Sequence, residues 1–299
     1  MPADAPIVIA TYSRRMRLAL PDGQEVDARI RGKRLRPVCG DRVEAEPIPG
    51  ETDWLITGIA ERGNALTRPD SRGRTEVLAA NVDLLVAVAA LLPRPDWFVI
   101  DRYLAAAENM HADAAVVLNK VDLDADGRGA ARAVLEAYAA IGYRVLEVSA
   151  VTGAGCDALS KLVAGRTAIV AGQSGVGKSS LINRLLGEPV QRTGAIAAKR
   201  DGGRHTTVNS VMRPLPQGGA IIDSPGVRDY APALASAVEV GHGFREIEAR
   251  RAECRFANCR HRSEPGCAVR DAVAEGAISE RRYESYRRLY NLTERLAAR

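Results

Sequence analysis

The sequence predicts an α/β chain in which a parallel sheet with helices on both faces lies between an N-terminal β-barrel and a C-terminal helical domain. Three observations support this. Short alternating apolar segments come first, apolar runs then alternate with helical patterns, and a Cys/His cluster precedes a final helical pattern. The chain has 299 residues, 46% of them hydrophobic. That is enough for two or three units with their own cores.

Residues 7–59 carry the short apolar stretches VIA, MRLAL, EVDARI, DRVEAE and WLITGI, separated by Pro and Gly and without helical periodicity. This pattern predicts a small OB-like β-barrel. A basic barrel is a common platform for RNA backbone, although a solvated arginine face is the alternative. Aromatic residues are scarce, so we expect phosphate or shape recognition rather than base stacking. The basic residues are Arg14, Arg15, Arg17, Arg29, Arg31, Lys33, Arg34 and Arg36.

The middle of the chain begins after a Pro-, Arg- and Gly-rich passage, and we place a domain boundary near residue 68. Residues 82–92 have the pattern of a fully buried parallel strand. Residues 97–109 and 128–141 read as helices, whereas AAVVLNK, YRVLEVSA and TAIVAG read as strands. This alternation predicts the parallel sheet. The predicted domains are residues 1–68, 69–233 and 234–299.

The stretch GQSGVGKS follows the strand TAIVAG and precedes the helix-like SLINRLLG, so it fulfils the pattern G-x-x-x-x-G-K-[ST] in its required setting. Glycines let the backbone curl so that its N–H groups face phosphate oxygens. Lys178 is suited to bridge β- and γ-phosphates, and the Ser179 hydroxyl is suited to ligate Mg²⁺. The predicted phosphate-binding residues are Gly172, Gln173, Ser174, Gly175, Val176, Gly177, Lys178, Ser179 and Ser180.

The base specificity is predicted by an N-K-V-D motif after the strand AAVVL and by a Ser-Ala pair ending YRVLEVSA. Asp122 can accept hydrogen bonds from the guanine N1–H and amino group, and adenine offers neither donor there. Asn119 would brace the loop, Lys120 would lie along the purine, and a backbone N–H of the Ser-Ala pair could reach guanine O6. The predicted guanine-binding residues are Asn119, Lys120, Val121, Asp122, Ser149 and Ala150.

A D-S-P-G element follows the strand AIIDS. There Asp223 is suited to hold Mg²⁺ and the Gly226 N–H to sense the γ-phosphate. Four such signals, each after its own strand, predict GTP binding. The N-K-V-D motif precedes the phosphate loop, whereas Ras-like GTPases have the reverse order, so we predict a circularly permuted P-loop GTPase domain. The D-S-P-G element then leads directly into the C-terminal domain and could bias its position.

Three cysteines and a histidine between residues 254 and 267 predict a zinc site. Three thiolates and one imidazole can surround one tetrahedral Zn²⁺ without an open position, which favours a structural metal over free buried cysteines. Interleaved arginines suggest contact with RNA phosphates, with a solvated face as the alternative. Cys39 and Cys156 are expected to be core residues. The predicted zinc ligands are Cys254, Cys259, His261 and Cys267.

The permuted motif order, the basic barrel and the Cys254-x4-Cys259-x-His261-x5-Cys267 cluster together resemble the bacterial ribosome small subunit-dependent GTPase A family, over essentially the whole chain. The resemblance implies a GTPase that is strongly stimulated by the small ribosomal subunit, binds its rRNA near the decoding region and assists late small-subunit maturation. Its partners would be this subunit with its rRNA and GTP or GDP, and its cofactors Mg²⁺ with GTP and one structural Zn²⁺.

Residues 203–207, GRHTT, resemble the family's G-x-H-T-T signature. The resemblance implies that Thr207, or else Thr206, ligates Mg²⁺ and that His205 orients the attacking water. An exposed histidine without a chemical role is the alternative. Val227 stands where Ras-like enzymes keep a water-positioning Gln, so we expect slow intrinsic hydrolysis. The predicted catalytic residues are Lys178, His205 and Thr207.

Other functions remain open at this point. In a nucleotide-gated RNA-binding module hydrolysis would be incidental, and Val227 in place of Gln is compatible with that. A P-loop kinase is disfavoured by the N-K-V-D motif and the flanking basic domains. The sequence has no long uncharged apolar run and no basic region followed by a sufficiently long apolar one at its start, so we expect a cytoplasmic protein without membrane contact. We also expect it to be a monomer.

Overall fold

The computed structural model describes residues 4–12, 15–32, 34–69, 74–123, 128–188, 208–224, 227 and 237–297. Arg14, Lys33, His205, Thr206, Thr207 and Gly226 lie outside the described residues. Within these ranges no helix combines the length and the apolar character needed to cross a membrane.

The strands follow the order expected from the apolar runs. They are β1 (Ile7–Tyr12), β2 (Met16–Ala19), β3 (Glu25–Ile30), β4 (Val43–Pro47), β5 (Trp54–Ile59), β6 (Ala65–Pro69), β7 (Thr75–Ala80), β8 (Leu84–Ala90), β9 (Asp113–Asn119), β10 (Arg144–Glu147), β11 (Thr167–Gly172), β12 (Val208–Pro214) and β13 (Ala220–Asp223). The helices are α1 (Trp97–Asn109), α2 (Arg128–Ala140), α3 (Cys156–Val163), α4 (Lys178–Leu185), α5 (Ala237–His242), α6 (Arg245–Arg251), α7 (Ala268–Ala274) and α8 (Glu280–Ala297).

The N-terminal strands form the predicted OB-like barrel. They pair in the order β1-β2-β3-β5-β4, and a bridge between Ile7 and Arg42 brings the last strand back to the first. Alternate residues point inward, as the two-residue period of a strand requires, and Val8, Leu18 and Ile56 are fully buried in the barrel core. The barrel prediction is confirmed.

The central sheet is parallel through β10, β9, β8, β11 and β13. All seven residues of β8 are buried because helices cover both faces of the sheet. Leu85 and Ala87 pack with α1 and α2, whereas Val86 and Val88 pack with α3 and α4. The predicted alternation of strands and helices is therefore confirmed.

Strand β12 differs from the parallel arrangement predicted for the whole sheet, because it pairs antiparallel with β13. The two strands are joined by a short turn in which Leu215 N donates to Gly219 O at 3.0 Å, and only antiparallel strands can be joined so closely. On its other side β12 pairs with β1 of the barrel. The barrel and the central sheet are therefore one continuous hydrogen-bonded sheet of eleven strands.

Strands β6 and β7 form a separate antiparallel ribbon in the passage that the sequence presented as Pro-, Arg- and Gly-rich. The ribbon is anchored by Leu66 and Ala79, which are 1% and 0% exposed in the core beside α1. Arg68 Nε donates to Glu76 at 2.8 Å across the two strands. The Pro, Arg and Gly content of this passage did not indicate that β6 pairs with β7.

The C-terminal helices enclose a core of their own, built around Phe244, Tyr286 and Leu289. This core rests on α1, and the approach is close: a Cβ at Gly243 would lie 2.6 Å from the Cβ of Ala105. Only glycine fits there. The predicted helical character of this region is confirmed.

Arg282 in α8 is fully buried where the C-terminal helices meet α1. Its Nη1 donates to Asp101 Oδ1 at 2.7 Å, and its Nε and Nη2 donate to the Glu246 carboxylate at 2.6 and 3.1 Å. Arg281 Nη1 donates to the second Asp101 oxygen at 2.7 Å. Burial alone would lower the pKa of Arg282, but Asp101 and Glu246 raise it well above its ordinary value. The charged guanidinium therefore joins α1, α6 and α8.

We expect Arg282→Met to lower the free energy of unfolding by about 3–5 kcal/mol, because Asp101 and Glu246 would lose the main partner of their charges. Urea denaturation measures the difference. Arg287→Met is the matched control, since the Arg287 side chain is 49% exposed and pairs with Glu284 on the surface. Its expected cost is below about 1 kcal/mol. Equal costs for the two variants would contradict the role given to Arg282.

Candidate functional site

The predicted motifs meet at one edge of the central sheet. Strand β11, which ends in the glycine loop, lies between β8 and β13, and β9 lies on the other side of β8. Because these strands are parallel, their carboxyl ends share one edge, where ligands of open α/β sheets bind. The residues that follow β9, β11 and β13 are therefore brought together, as the sequence predicted.

The loop from Gly172 to Gly177 is shaped by its glycines. Gly172 has φ 148°, and a Cβ there would lie 2.2 Å from Val88 O. Gly177 has φ 92°, and a Cβ there would lie 2.3 Å from the side-chain nitrogen of Asn119. The helix α4 begins directly after Gly177, and no side chain caps it. Its first N–H groups are therefore suited to bind an anion.

Lys178 lies across this loop: its Nζ donates to Gly172 O at 2.6 Å and to Gln173 O at 2.5 Å. The ammonium thereby stays at the mouth of the loop. Ser174 and Gly175 are exposed, whereas Val176 is fully buried. One side of the loop is thus buried in the protein, and the other side is open to solvent.

Asn119 joins the loop after β9 to the glycine loop. Its Nδ2 donates to Val176 O at 2.9 Å, and its Oδ1 accepts from Ala150 N at 3.1 Å. Lys120 has φ 64°, and its Nζ donates to Gly175 O at 2.6 Å. These contacts fix the N-K-V-D motif against the glycine loop. Asn119 thus braces the loop as the sequence predicted.

The Asp122 carboxylate is held by Ser149, whose Oγ donates to it at 2.5 Å and accepts from Thr152 N at 3.1 Å. The Asp122 side chain is itself exposed. A base would therefore have to cover it. Val121 is half-buried and packs against the core rather than facing the site.

The residues proposed to surround Mg²⁺ are only partly described. Ser179 and Ser180 are half-buried in the first turn of α4, and Asp223 is half-buried at the end of β13. Ser224, which follows Asp223, is hydrogen-bonded through its Oγ to Ser210 Oγ at 2.9 Å. The predicted residues His205, Thr207 and Gly226 lie outside the described residues.

Residues 91–96, which follow β8, border the glycine loop and were missed by the sequence analysis. Lys120 Nζ donates to Leu92 O at 2.7 Å, and Asp96 N donates to the side-chain oxygen of Gln173 at 2.9 Å. The sequence signal was available, because β8 is another parallel strand whose carboxyl end had to open at the same edge.

The predicted zinc ligands also come together: one ligand atom each from Cys254, Cys259, His261 and Cys267 lies within 4.8 Å of the others. His261 Nδ1 is 3.5 Å from both Cys254 Sγ and Cys267 Sγ. Tetrahedral Zn²⁺ with ordinary bond lengths needs S···N separations of about 3.5 Å, so the four residues fit this ion. Burial lowers the pKa of His261, which favours the neutral imidazole that ligates metal.

Hydrogen bonds from neighbouring side chains hold the backbone of the loop that carries His261. The Glu264 carboxylate accepts from Arg262 N at 2.8 Å and from Ser263 N at 3.1 Å, and Tyr283 OH donates to His261 O at 2.6 Å. Partial burial raises the pKa of Glu264, but the backbone hydrogen bonds outweigh it and lower that pKa to about 2. The ligand positions are therefore set by the fold around them.

We expect Gly177→Ala to weaken GTP binding by roughly 10- to 100-fold, because the new methyl group would displace the buried Asn119 amide from Val176. Titration with a fluorescent GTP analogue measures the effect. Gly165→Ala is the matched control: its φ of 70° imposes a similar backbone strain, but nothing lies within 4 Å of the new Cβ. If both variants bound GTP as the wild type does, the contact between the two loops would not control the site.

Known proteins resemble this chain in sequence. The model of the RsgA GTPase family matches residues 59–232. The small ribosomal subunit biogenesis GTPase RsgA of Photorhabdus laumondii is 38% identical over 98% of this chain and 86% of that protein. The protein of the same name from Yersinia enterocolitica gives the same identity and coverage.

Two solved structures have a similar fold. The crystal structure of YjeQ from Thermotoga maritima has a TM-score of 0.77 and 30% identity and covers 96% of this chain and 97% of that one. YloQ, described as a circularly permuted GTPase, has a TM-score of 0.71 and 24% identity, covering 97% and 94%. The predicted permutation is therefore confirmed at the level of the fold. With its family match and these relatives, the chain belongs to the RsgA GTPase family.

Proposed function

We propose that this chain hydrolyses GTP to GDP and phosphate when it binds the small ribosomal subunit, and that it assists late assembly or maturation of that subunit through GTP-dependent rRNA binding. The observation that carries the proposal is the junction at Asn119, where a guanine-type motif is held against a phosphate loop. The similar RsgA proteins are named as small ribosomal subunit biogenesis GTPases, which supports the choice of partner.

The base would be read at the exposed Asp122 carboxylate, which would accept from the guanine N1–H and amino groups. Guanine would cover this carboxylate and pair it, whereas adenine would cover it without offering a proton. Ala150 N already bonds Asn119, so Ser149 and Ala150 contribute mainly by fixing the loop around the base. Asn119, Lys120 and Val121 complete the proposed guanine site.

The phosphates would lie in the loop from Gly172 to Ser180, with Lys178 at its mouth. The hydroxyl of Ser179 and the carboxylate of Asp223 are hard oxygen donors of the kind Mg²⁺ requires, and we assign Thr207 as a further ligand. Mg²⁺ supplies charge neutralisation at the β- and γ-phosphates. Lys178 would stabilise the charge that develops as water attacks the γ-phosphate.

The position of Val227 supports the expectation that the isolated chain hydrolyses GTP slowly. It is 1% exposed and packs in the core beside α1, so its side chain cannot orient a water molecule over the γ-phosphate. We assign that task to His205, positioned by the bound partner. The buried Val227 is also what favours the second candidate, a nucleotide-gated RNA-binding module.

The barrel arginines differ in their availability for rRNA. Arg17 donates to Asp27 at 3.2 Å and Arg29 to Asp53 at 2.9 Å, so their charge is largely compensated. By contrast, exposed arginines in the connection after β3 form no ion pair with any other described residue; these are Arg31, Arg34 and Arg36. We propose this connection as the phosphate-binding part of the barrel.

We expect small ribosomal subunits to raise the steady-state rate of GTP hydrolysis by a large factor, because the buried Val227 cannot orient water and His205 would be positioned for that task only by the bound subunit. Phosphate release is measured for the chain alone and with small subunits, with large subunits and ATP as controls. Unchanged hydrolysis together with tight GTP binding would replace the enzyme by the nucleotide-gated module.

The proposed domains 1–68, 69–233 and 234–299 imply that zinc stabilises only the last. We expect chelation of Zn²⁺ to unfold α5–α8 while GTP affinity is largely retained, because metal binding supplies folding energy to this short segment. Helix content by circular dichroism and GTP titration measure the two effects. Cys259→Ser should reproduce the chelated state, whereas Cys39→Ala, outside the cluster, should keep its zinc. Loss of GTP binding on chelation would contradict the boundary near residue 233.

A further inference from the structure

Tyr103 of α1 is fully buried, and its hydroxyl donates to the backbone oxygen of Val227 at 2.8 Å. Val227 directly follows the D-S-P-G element, which carries Asp223. The hydrogen bond therefore connects a helix of the GTPase fold to the chain that leaves the nucleotide site. No role in phosphate or base binding requires this hydroxyl.

On the other side of Val227, further hydrogen bonds lead toward the proposed nucleotide site. Val227 N donates to Ser224 O at 3.1 Å, and Ser224 Oγ is hydrogen-bonded to Ser210 Oγ at 2.9 Å. Ser224 adjoins Asp223, and Ser210 lies in β12, three residues after Thr207. A buried set of hydrogen bonds thus links Tyr103 to both segments that carry proposed Mg²⁺ ligands.

Helix α1 is also the support of the C-terminal helices. Asp101 accepts from Arg281 and Arg282 of α8, and Asn109 Nδ2 donates to Glu239 O of α5 at 2.9 Å. At its other end α1 is hydrogen-bonded to the phosphate loop, through Asp96 N and Gln173. Tyr103 lies on the same helix, between these contacts.

We propose that Tyr103 is a positioning residue for GTP hydrolysis. Its hydroxyl fixes the chain that follows Asp223 to α1, the helix on which the zinc-binding helices rest, so that a partner docked on those helices acts on the Asp223 segment through α1. The part played by the partner rests on the proposed function. Removing the hydroxyl leaves a buried carbonyl without this donor, which gives the segment more freedom when Mg²⁺ and γ-phosphate must be aligned.

The test compares Tyr103→Phe with Tyr143→Phe. Both side chains are buried in the same core, but among the described residues the Tyr143 hydroxyl has no hydrogen-bond partner. Tyr103→Phe should lower the rate constant of GTP hydrolysis about tenfold, as expected for leaving one buried polar group unpaired. The affinity for GTP and the zinc content should stay unchanged. Tyr143→Phe should hydrolyse GTP as the wild type does.

Ser210→Ala is a second variant, which removes the contact between Ser210 and Ser224. It should also lower the rate constant of GTP hydrolysis.

Rates are measured in single-turnover experiments with and without small ribosomal subunits. If wild type is not stimulated, the proposed function fails, and Tyr103 is judged on the unstimulated rate, where the same tenfold loss is expected. Equal rates for Tyr103→Phe and Tyr143→Phe would overturn the inference. So would a loss of GTP affinity with an unchanged rate constant, because the hydroxyl would then serve binding rather than hydrolysis.

Discussion

The nucleotide site depends on one amide, the side chain of Asn119. Its nitrogen bonds the backbone of the glycine loop at Val176, and its oxygen bonds the backbone of Ala150. The end of β9 and the loops after β10 and β11 therefore meet at this one side chain, which is 1% exposed. Gly177 has no side chain because this amide occupies the space a Cβ would need. The distance between the base-binding and phosphate-binding groups follows from this contact.

The circular permutation leaves this arrangement intact, because the contacts of Asn119 depend on which residues are close in space and not on the order of the motifs along the chain. What the permutation changes is where the flanking units attach. The barrel joins the sheet through β1 and β12, the strand that follows the Thr207 segment. The C-terminal helices join through the buried ion pair between Asp101 of α1 and Arg282 of α8. Both flanking units are thus attached to elements that border the candidate nucleotide site.

Much of the fold could be predicted because its signals are local. The apolar run of β8 is continuous since both its faces are buried, and α1 begins where predicted because Asp96 caps it by accepting from Phe98 N and Val99 N. The Cys/His cluster was predictable for the same reason: its four residues lie within a short stretch of chain.

The features that were missed depend on contacts between distant residues. Nothing in the helical pattern of α8 distinguishes Arg282, which is fully buried, from Arg288, whose side chain is 61% exposed. The parallel pattern of β8 places residues 91–96 at the same edge of the sheet, but their contact with the glycine loop also requires β8 to lie beside β11, which is a pairing of distant residues. The antiparallel direction of β12 became evident only from the short turn at Leu215.

Competition binding tests most directly whether these loops form one guanine-specific nucleotide site. Fluorescently labelled GDP bound to the chain is displaced by GTP or by ATP, and the concentration needed for half displacement is measured for each. We expect GTP to act at roughly 1,000-fold lower concentration than ATP, because adenine would cover the Asp122 carboxylate without donating a hydrogen bond to it. Displacement by ATP at the same concentration as GTP would contradict it.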